Sequence, residues 1–212
     1  MSLNLYLLRH GETNYSQAGV FCGDLDAELT ANGTQMAQEF AVAYETVKWE
    51  AIYTSPMKRT QATAQPLCEA VGIASQQRDG LKEIKYGKWE GQTVAWAQQN
   101  YAHDYSRWLA EPAWNAPTTG ETAVEVANRG SIVVAEIAAQ HPSGNVLIVS
   151  HKATIRLIIC NLLGIDLSRY RYRLNVLAGS VSRVKFAANG PMLEALGDRS
   201  YMNEKLRAVE GT

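Results

Sequence analysis

The sequence predicts an α/β fold, a single domain built as a three-layer sandwich with a mostly parallel sheet flanked by helices. Short unbroken apolar runs recur, helical patterns lie between them, and no repeat, low-complexity stretch or Gly/Ser linker divides the chain. Leu3–Leu8 opens the series, and its lack of polar alternation suits a strand covered on both faces. Thr30 is placed to cap a helix carrying Met36, Phe40, Ala43 and Val47 at spacings of three and four. Ala51–Thr54 is a second, shorter strand. Ser55-Pro56 reads as a capping residue with proline at the first helical position, opening a helix to about Ala70 that stops before Gly72. Glu121–Gln140 is a long helical stretch ended by His141-Pro142 and Gly144. Val146–Val149 is a third apolar run, and Lys152–Leu163 is a helix, apolar on most sides, with Gly164 as its C-cap. Ser180–Ala187 and Met192–Leu196 read as strands joined by Asn189-Gly190, an antiparallel hairpin.

Composition narrows the classes of function. The 212 residues carry 20 Lys+Arg against 21 Asp+Glu, and 46% are hydrophobic. A chain of this size buries a core without disulfide or metal staples. Near-neutral charge removes the electrostatic reason to expect nucleic acid or an anionic membrane as partner. No apolar run reaches the roughly 18 residues of a membrane span, and the start, Met-Ser-Leu-Asn-Leu-Tyr-Leu-Leu, lacks the basic segment of a signal peptide. Cys22, Cys68 and Cys160 are odd in number, widely spaced and without a CxxC pair, which points to a reducing, cytoplasmic setting. Monomer and homodimer both stay open. Four of the five tryptophans (Trp89, Trp96, Trp108, Trp114) fall between Tyr86 and Pro117, with Tyr101 and Tyr105. We read one domain over 1–212 with an aromatic-rich helical insertion at about 86–117 over the site. The insertion buries its own rings or, on the functional reading, lines a pocket.

His10 follows the first apolar run and His151 follows the third. As parallel neighbours in one sheet, both strands deliver their imidazoles to the carboxyl edge, where open α/β sheets bind ligands. Arg9 and Arg59, beside helix N-termini, would converge there and suit a phosphate dianion. Three other patterns read differently. His10-Gly11-Glu12 matches the HxE part of a zinc deaminase signature, but Pro-Cys-x-x-Cys is absent, so no metal is expected. Arg169, Arg171 and Arg173 alternate with Tyr170 and Tyr172 and read as a solvated face rather than a nucleic-acid strip. His103 and His141 read as surface residues without partners.

Leu8-Arg9-His10-Gly11-Glu12-Thr13 resembles the RHG signature of the histidine phosphatase superfamily, its phosphoglycerate-mutase-like branch. The resemblance continues through Gly23, Leu29-Thr30-Ala31-Asn32-Gly33 and Ser55-Pro56-Met57-Lys58-Arg59-Thr60-Gln61-Ala62-Thr63. It resumes at Leu81-Lys82-Glu83-Ile84, Tyr86-Gly87-Lys88-Trp89-Glu90-Gly91, Gly120-Glu121-Thr122 and Val149-Ser150-His151. The ordered set is far more specific than any one tripeptide.

The resemblance implies a metal-independent phosphomonoesterase that needs no cofactor and acts on a small phosphorylated metabolite. His10 would take the phosphoryl group as a phosphohistidine. Histidine is nucleophilic only when neutral, so its second nitrogen should donate to a carbonyl. Arg9, Arg59 and His151 would hold the phosphoryl oxygens. Glu83 would protonate the leaving alkoxide and then activate water. Thr13, Ser16, Cys22, Gly23 and Lys152 are further phosphate-site candidates. Ser16 stands where relatives carry an amide, Cys22 reads as lining rather than nucleophile, and Lys152 is either solvated or an extra cation beside the pocket. Relatives with a similar aromatic-Gly-x-Trp-Glu-Gly block include α-ribazole, sugar-phosphate and phosphoserine phosphatases. Two alternatives stand beside the phosphatase: a cofactor-dependent phosphoglycerate mutase and a non-catalytic phospholigand-binding protein. Val20 in the early loop and Ile84 after Glu83 depart from the mutase carboxylate clamp, which favours hydrolysis. All five core residues, the proton donor included, argue against a mere binder.

Overall fold

A computed structural model describes residues 2–209; Met1 and residues 210–212 of the expected span lie outside it. The chain runs through β1 (Leu3–Arg9), α1 (Asn14–Ala18), α2 (Ala31–Tyr44), β2 (Trp49–Thr54), α3 (Lys58–Val71) and β3 (Ser75–Gln77). It continues through α4 (Val94–Asn100), α5 (Ala102–Ala110), α6 (Ala123–Gln140), β4 (Gly144–Ser150), α7 (Lys152–Leu163), α8 (Tyr170–Arg173), β5 (Val181–Ala187) and β6 (Gly190–Asp198). The six strands form one sheet in the order β3-β2-β4-β1-β5-β6. The first four are parallel, whereas β5 and β6 add an antiparallel edge.

The apolar runs do what two-sided burial requires. Along β1, Leu3, Leu5 and Leu7 enter one core while Tyr6 and Leu8 enter the other; β4 divides Val146 and Ile148 from Leu147 and Val149 in the same way. Helices α6 and α7 cover the first core with Val126, Val134, Ile137, Ile155 and Ile158. Phe40 and Ala41 of α2 and Ala64 and Leu67 of α3 cover the second. The expected three layers are thus present.

Several expected boundaries move, each for a local reason. Thr30 caps α2, its hydroxyl accepting from Gly33 N, but the helix ends at Tyr44 and Val47 lies in the turn beyond. Pro56 is not the first residue of α3. The helix starts at Lys58 with Met57 as N-cap; the Ser55 hydroxyl accepts from Met57 N at 3.3 Å and also meets Thr60 and His151. α6 begins at Ala123, where Thr122 and Glu125 close a capping box. β3, absent from the sequence reading, is a short polar edge strand.

Close backbone approach explains two glycines of the Arg9–Gly33 region. A Cβ on Gly11 would stand 2.4 Å from Gly33 O, and one on Gly33 would stand 2.1 Å from Glu12 O. Glu12 is buried there and accepts from Thr30 Oγ1 (2.7 Å) and Asn32 Nδ2 (3.3 Å). The Leu29–Gly33 segment therefore clamps the loop that carries His10. Gly33→Ala should cost about 1–3 kcal/mol through this overpacking, read as a lower urea midpoint at unchanged m-value. An unchanged midpoint would contradict the clamp.

Candidate active site

Parallel pairing sets the site. Arg9 lies opposite Ser150 in the β1–β4 register, so the next residues, His10 and His151, leave the sheet edge together with ring centroids 5.2 Å apart. His10 Nδ1 is 2.7 Å from Gly11 O. A carbonyl only accepts, so Nδ1 carries the proton and Nε2 is the bare nitrogen. Burial first, then the charges of Arg59 and Arg9, hold the His10 pKa well below 6.5. The ring is a neutral, tautomer-fixed imidazole, the state in which a histidine is nucleophilic.

His151 is fully buried behind the cleft wall. Arg59 Nε donates to its Nδ1 (3.1 Å), which places the ring proton on Nε2, facing Ser55 Oγ at 2.7 Å. Burial, Arg59 and His10 keep it neutral as well. With both nitrogens engaged, a direct contact with phosphoryl oxygens requires one of these bonds to open. Arg59, also buried, ties down the 23–25 loop by donating to Leu25 O (2.7 Å) and Gly23 O (2.8 Å). Its donors to the loop and to His151 compensate the cost of burying a guanidinium. Thr63 anchors the same helix to the signature loop, accepting from Gly11 N at 3.0 Å.

Glu83 sits on the first turn of α7. Its carboxyl accepts from Ile84 N (3.0 Å), Thr154 N (3.2 Å) and Ala153 N (3.2 Å). Arg129 fixes the backbone behind it, donating to Gly80 O, Lys82 O and Glu83 O while pairing with Glu121 at 3.0 Å. This gives Gly120-Glu121-Thr122 a physical role: it secures the loop that presents Glu83.

A cleft of about 200 Å³ gathers Arg9, His10, Thr13, Ser16, Cys22, Gly23, Arg59, Glu83 and Lys152 on its walls. Thr13 and Ser16 form the capping box of α1, so the Ser16 hydroxyl faces Thr13 as well as bordering the cleft. The Cys22 thiol donates to Leu25 O, and burial raises its pKa, which leaves it a thiol rather than a nucleophile. Gly23 has φ +53° and packs against Glu90, whose Oε1 accepts from Asp24 N and Tyr86 N. Among the described residues no group of three His, Cys, Asp or Glu side chains is placed to hold a metal.

Other residues reach the cleft that the sequence reading did not assign there. Trp89, Ala97, Tyr105 and Trp108 pack with Phe21, and Tyr86, Val94 and Trp108 also face the cleft. Arg171 leaves the solvated strip; its guanidinium stacks 3.8 Å from the Trp108 ring, whereas Arg169 and Arg173 are exposed. Arg156 joins it from α7, four residues after Lys152. That spacing was the one legible signal. The cleft is thus richer in cations than the mutase comparison assumed. His141, expected to lack a partner, meets the Tyr53 hydroxyl at 3.1 Å, and His103 is exposed beside Asp104.

The profile described as "Histidine phosphatase superfamily (branch 1)" matches residues 5–199. The chain belongs to this superfamily. This histidine phosphatase is 33% identical over 168 residues to phosphoserine phosphatase 1 of Hydrogenobacter thermophilus, covering 79% of the chain and 80% of that protein. It is 29% identical over 162 residues to the adenosylcobalamin/alpha-ribazole phosphatase of Escherichia coli, covering 76% and 80%. The structure of Bacillus stearothermophilus YhfR superposes with a TM-score of 0.89 at 28% identity, over 95% of this chain and 100% of that one. No described helix is long and apolar enough to cross a membrane.

The two neutral imidazoles of this histidine phosphatase make folding pH-dependent. Their native pKa values lie well below 6.5, so below about pH 6.5 the unfolded chain binds protons that the native state refuses. Stability is full above that pH and falls as pH drops, by up to about 1.4 kcal/mol per unit for each histidine. Urea unfolding at pH 7.0, 6.0 and 5.5 should show this slope, and His10→Gln with His151→Gln should flatten it.

Proposed function

We propose that this phosphatase hydrolyses a small phosphomonoester through a phosphohistidine on His10. The observation that carries the reading is the neutral His10, its Nδ1 proton donated to Gly11 O, in a cleft shared with Arg9, Arg59 and Glu83. In the first step His10 Nε2 attacks phosphorus and the P–O ester bond breaks. Glu83 gives its proton to the departing oxygen, and the charge arising on the imidazole is met by the Gly11 carbonyl. In the second step water attacks phosphorus, its proton passes to Glu83 and the N–P bond breaks. Phosphate leaves and His10 is neutral again. Arg9 and Arg59 stabilise charge on the transferring group, which is most of what phosphoryl transfer asks of a protein. His151 aligns Arg59 and abuts the nucleophile.

His10→Ala should lower p-nitrophenyl phosphate hydrolysis by at least about 1,000-fold, and EDTA should leave the wild type active. Glu83→Gln should slow alkyl phosphates by about 100-fold or more. It should affect p-nitrophenyl phosphate far less, because nitrophenolate leaves without a proton. Activity lost to chelation, or no acid-labile phosphoryl group on His10 during turnover, would remove the mechanism. Given 3-phosphoglycerate with catalytic 2,3-bisphosphoglycerate, the enzyme should release phosphate faster than it forms the 2-isomer. The opposite order would make it a mutase.

A further inference from the structure

We propose that Lys152, Arg156 and Arg171 form a subsite for a second anionic group, carboxylate or phosphate, on the leaving-group side of the substrate. The proposal rests on the phosphatase reading in one respect: it takes the Arg9–His10–Arg59 end as the phosphoryl subsite.

Charge balance is the first argument. Five cationic side chains line the cleft (Arg9, Arg59, Lys152, Arg156, Arg171), against Glu83 as the one carboxylate among the described residues there. A phosphate dianion neutralises two of them, and Glu83, protonated as the acid of the first step, neutralises none. Three positive charges are left over.

Unused donors are the second. Among the described residues no carboxylate pairs with Lys152, Arg156 or Arg171, and Arg156 Nε and Arg171 Nη1 are buried with no hydrogen-bond partner. A buried N–H of a guanidinium left without an acceptor is costly, and an anion in the cleft supplies that acceptor. Arg171 is held in place by its stacking on Trp108. Lys152 has its pKa lowered to about 8, by burial first and then by the charges of Arg9 and Arg156, as befits a site short of negative charge.

Position is the third. Glu83 accepts from Ala153 N and Thr154 N, so the proton donor marks where the leaving oxygen sits against α7. Lys152 and Arg156 stand one turn apart on that helix, about 5–6 Å, and straddle this point. The second anion therefore lies a few bonds beyond the ester oxygen. This is the span of a short phosphorylated acid or bisphosphate, not of a phosphorylated neutral alcohol.

The test uses the His10→Ala protein, which holds ligands without turning them over, and three ligands with a three-carbon skeleton. These are glycerol 3-phosphate, 3-phosphoglycerate and propane-1,3-diol bisphosphate. By calorimetry at least one of the two ligands with a second anionic group should bind about 30-fold more tightly than glycerol 3-phosphate, and the better of the two identifies the anion. Arg156→Met and Arg171→Met, added together, should shrink that gap to about threefold. Equal affinities for all three ligands, or a gap that survives both substitutions, would overturn the subsite. The ligand comparison needs no arginine variant, so a misfolded variant does not spare the proposal. Should His10→Ala itself misfold, the wild-type kcat/KM ratio for the same ligands reads the same preference. A wild type without turnover sinks the phosphatase reading while leaving the affinity gap to be judged separately.

Discussion

The arrangement depends on the register of two parallel strands. Because Arg9 faces Ser150 across β1 and β4, the residues that follow emerge at one level, and two imidazoles meet at 5.2 Å. A slip of one residue would turn every side chain of a strand to the opposite face. Here it would exchange Leu5 and Leu7 with Tyr6 and Leu8 between two packed cores. Burial on both faces is what makes the slip prohibitive. His10 is thus positioned by the hydrophobic pattern of β1, whose leucines lie in the cores away from the cleft.

Around that edge the protein keeps positive charge close to groups that must stay uncharged. Arg59 reaches His151 through Nε and sits near His10, and both rings are kept neutral by burial and this neighbour. The same guanidinium closes the loop at Gly23 and Leu25. One buried side chain therefore sets the protonation state of the site and the shape of the loop that borders it. Burying it costs solvation, but breaking its contacts would cost more.

Much of this was legible in the sequence, for identifiable reasons. His10 and His151 stand directly after apolar runs, so a strand reading alone carries them to one sheet edge. Glu83 became legible through the motif around it. Its mounting on the α7 amides did not, since that contact joins residues about 70 apart. Arg156 hides in a helix whose apolar residues dominate its pattern, and Arg171 alternates with tyrosines in a four-residue helix. Its partner, Trp108, arrives from a different stretch of chain. Periodicity reports which face of an element is buried; it says nothing about which distant ring will lie beneath a guanidinium. The start of α3 failed for a related reason. Ser55 has the chemistry of a helix cap and accepts from Met57 N, but its hydroxyl is shared with Thr60 and with His151, the residue after β4.

Glu83 and Arg156 are mounted on one helix, the first through backbone amides and the second through its own Cα. The backbone separation of the two mountings is therefore a helical rise, about 1.5 Å per residue, to which the Arg156 side chain adds its own reach. α7 acts as a ruler with its zero at the acid. Molecules of different length cannot be measured equally well against it, and adapting the enzyme to a longer one means moving the cation to another graduation. A substitution at Arg156 alone would erase a mark on this scale without drawing a new one.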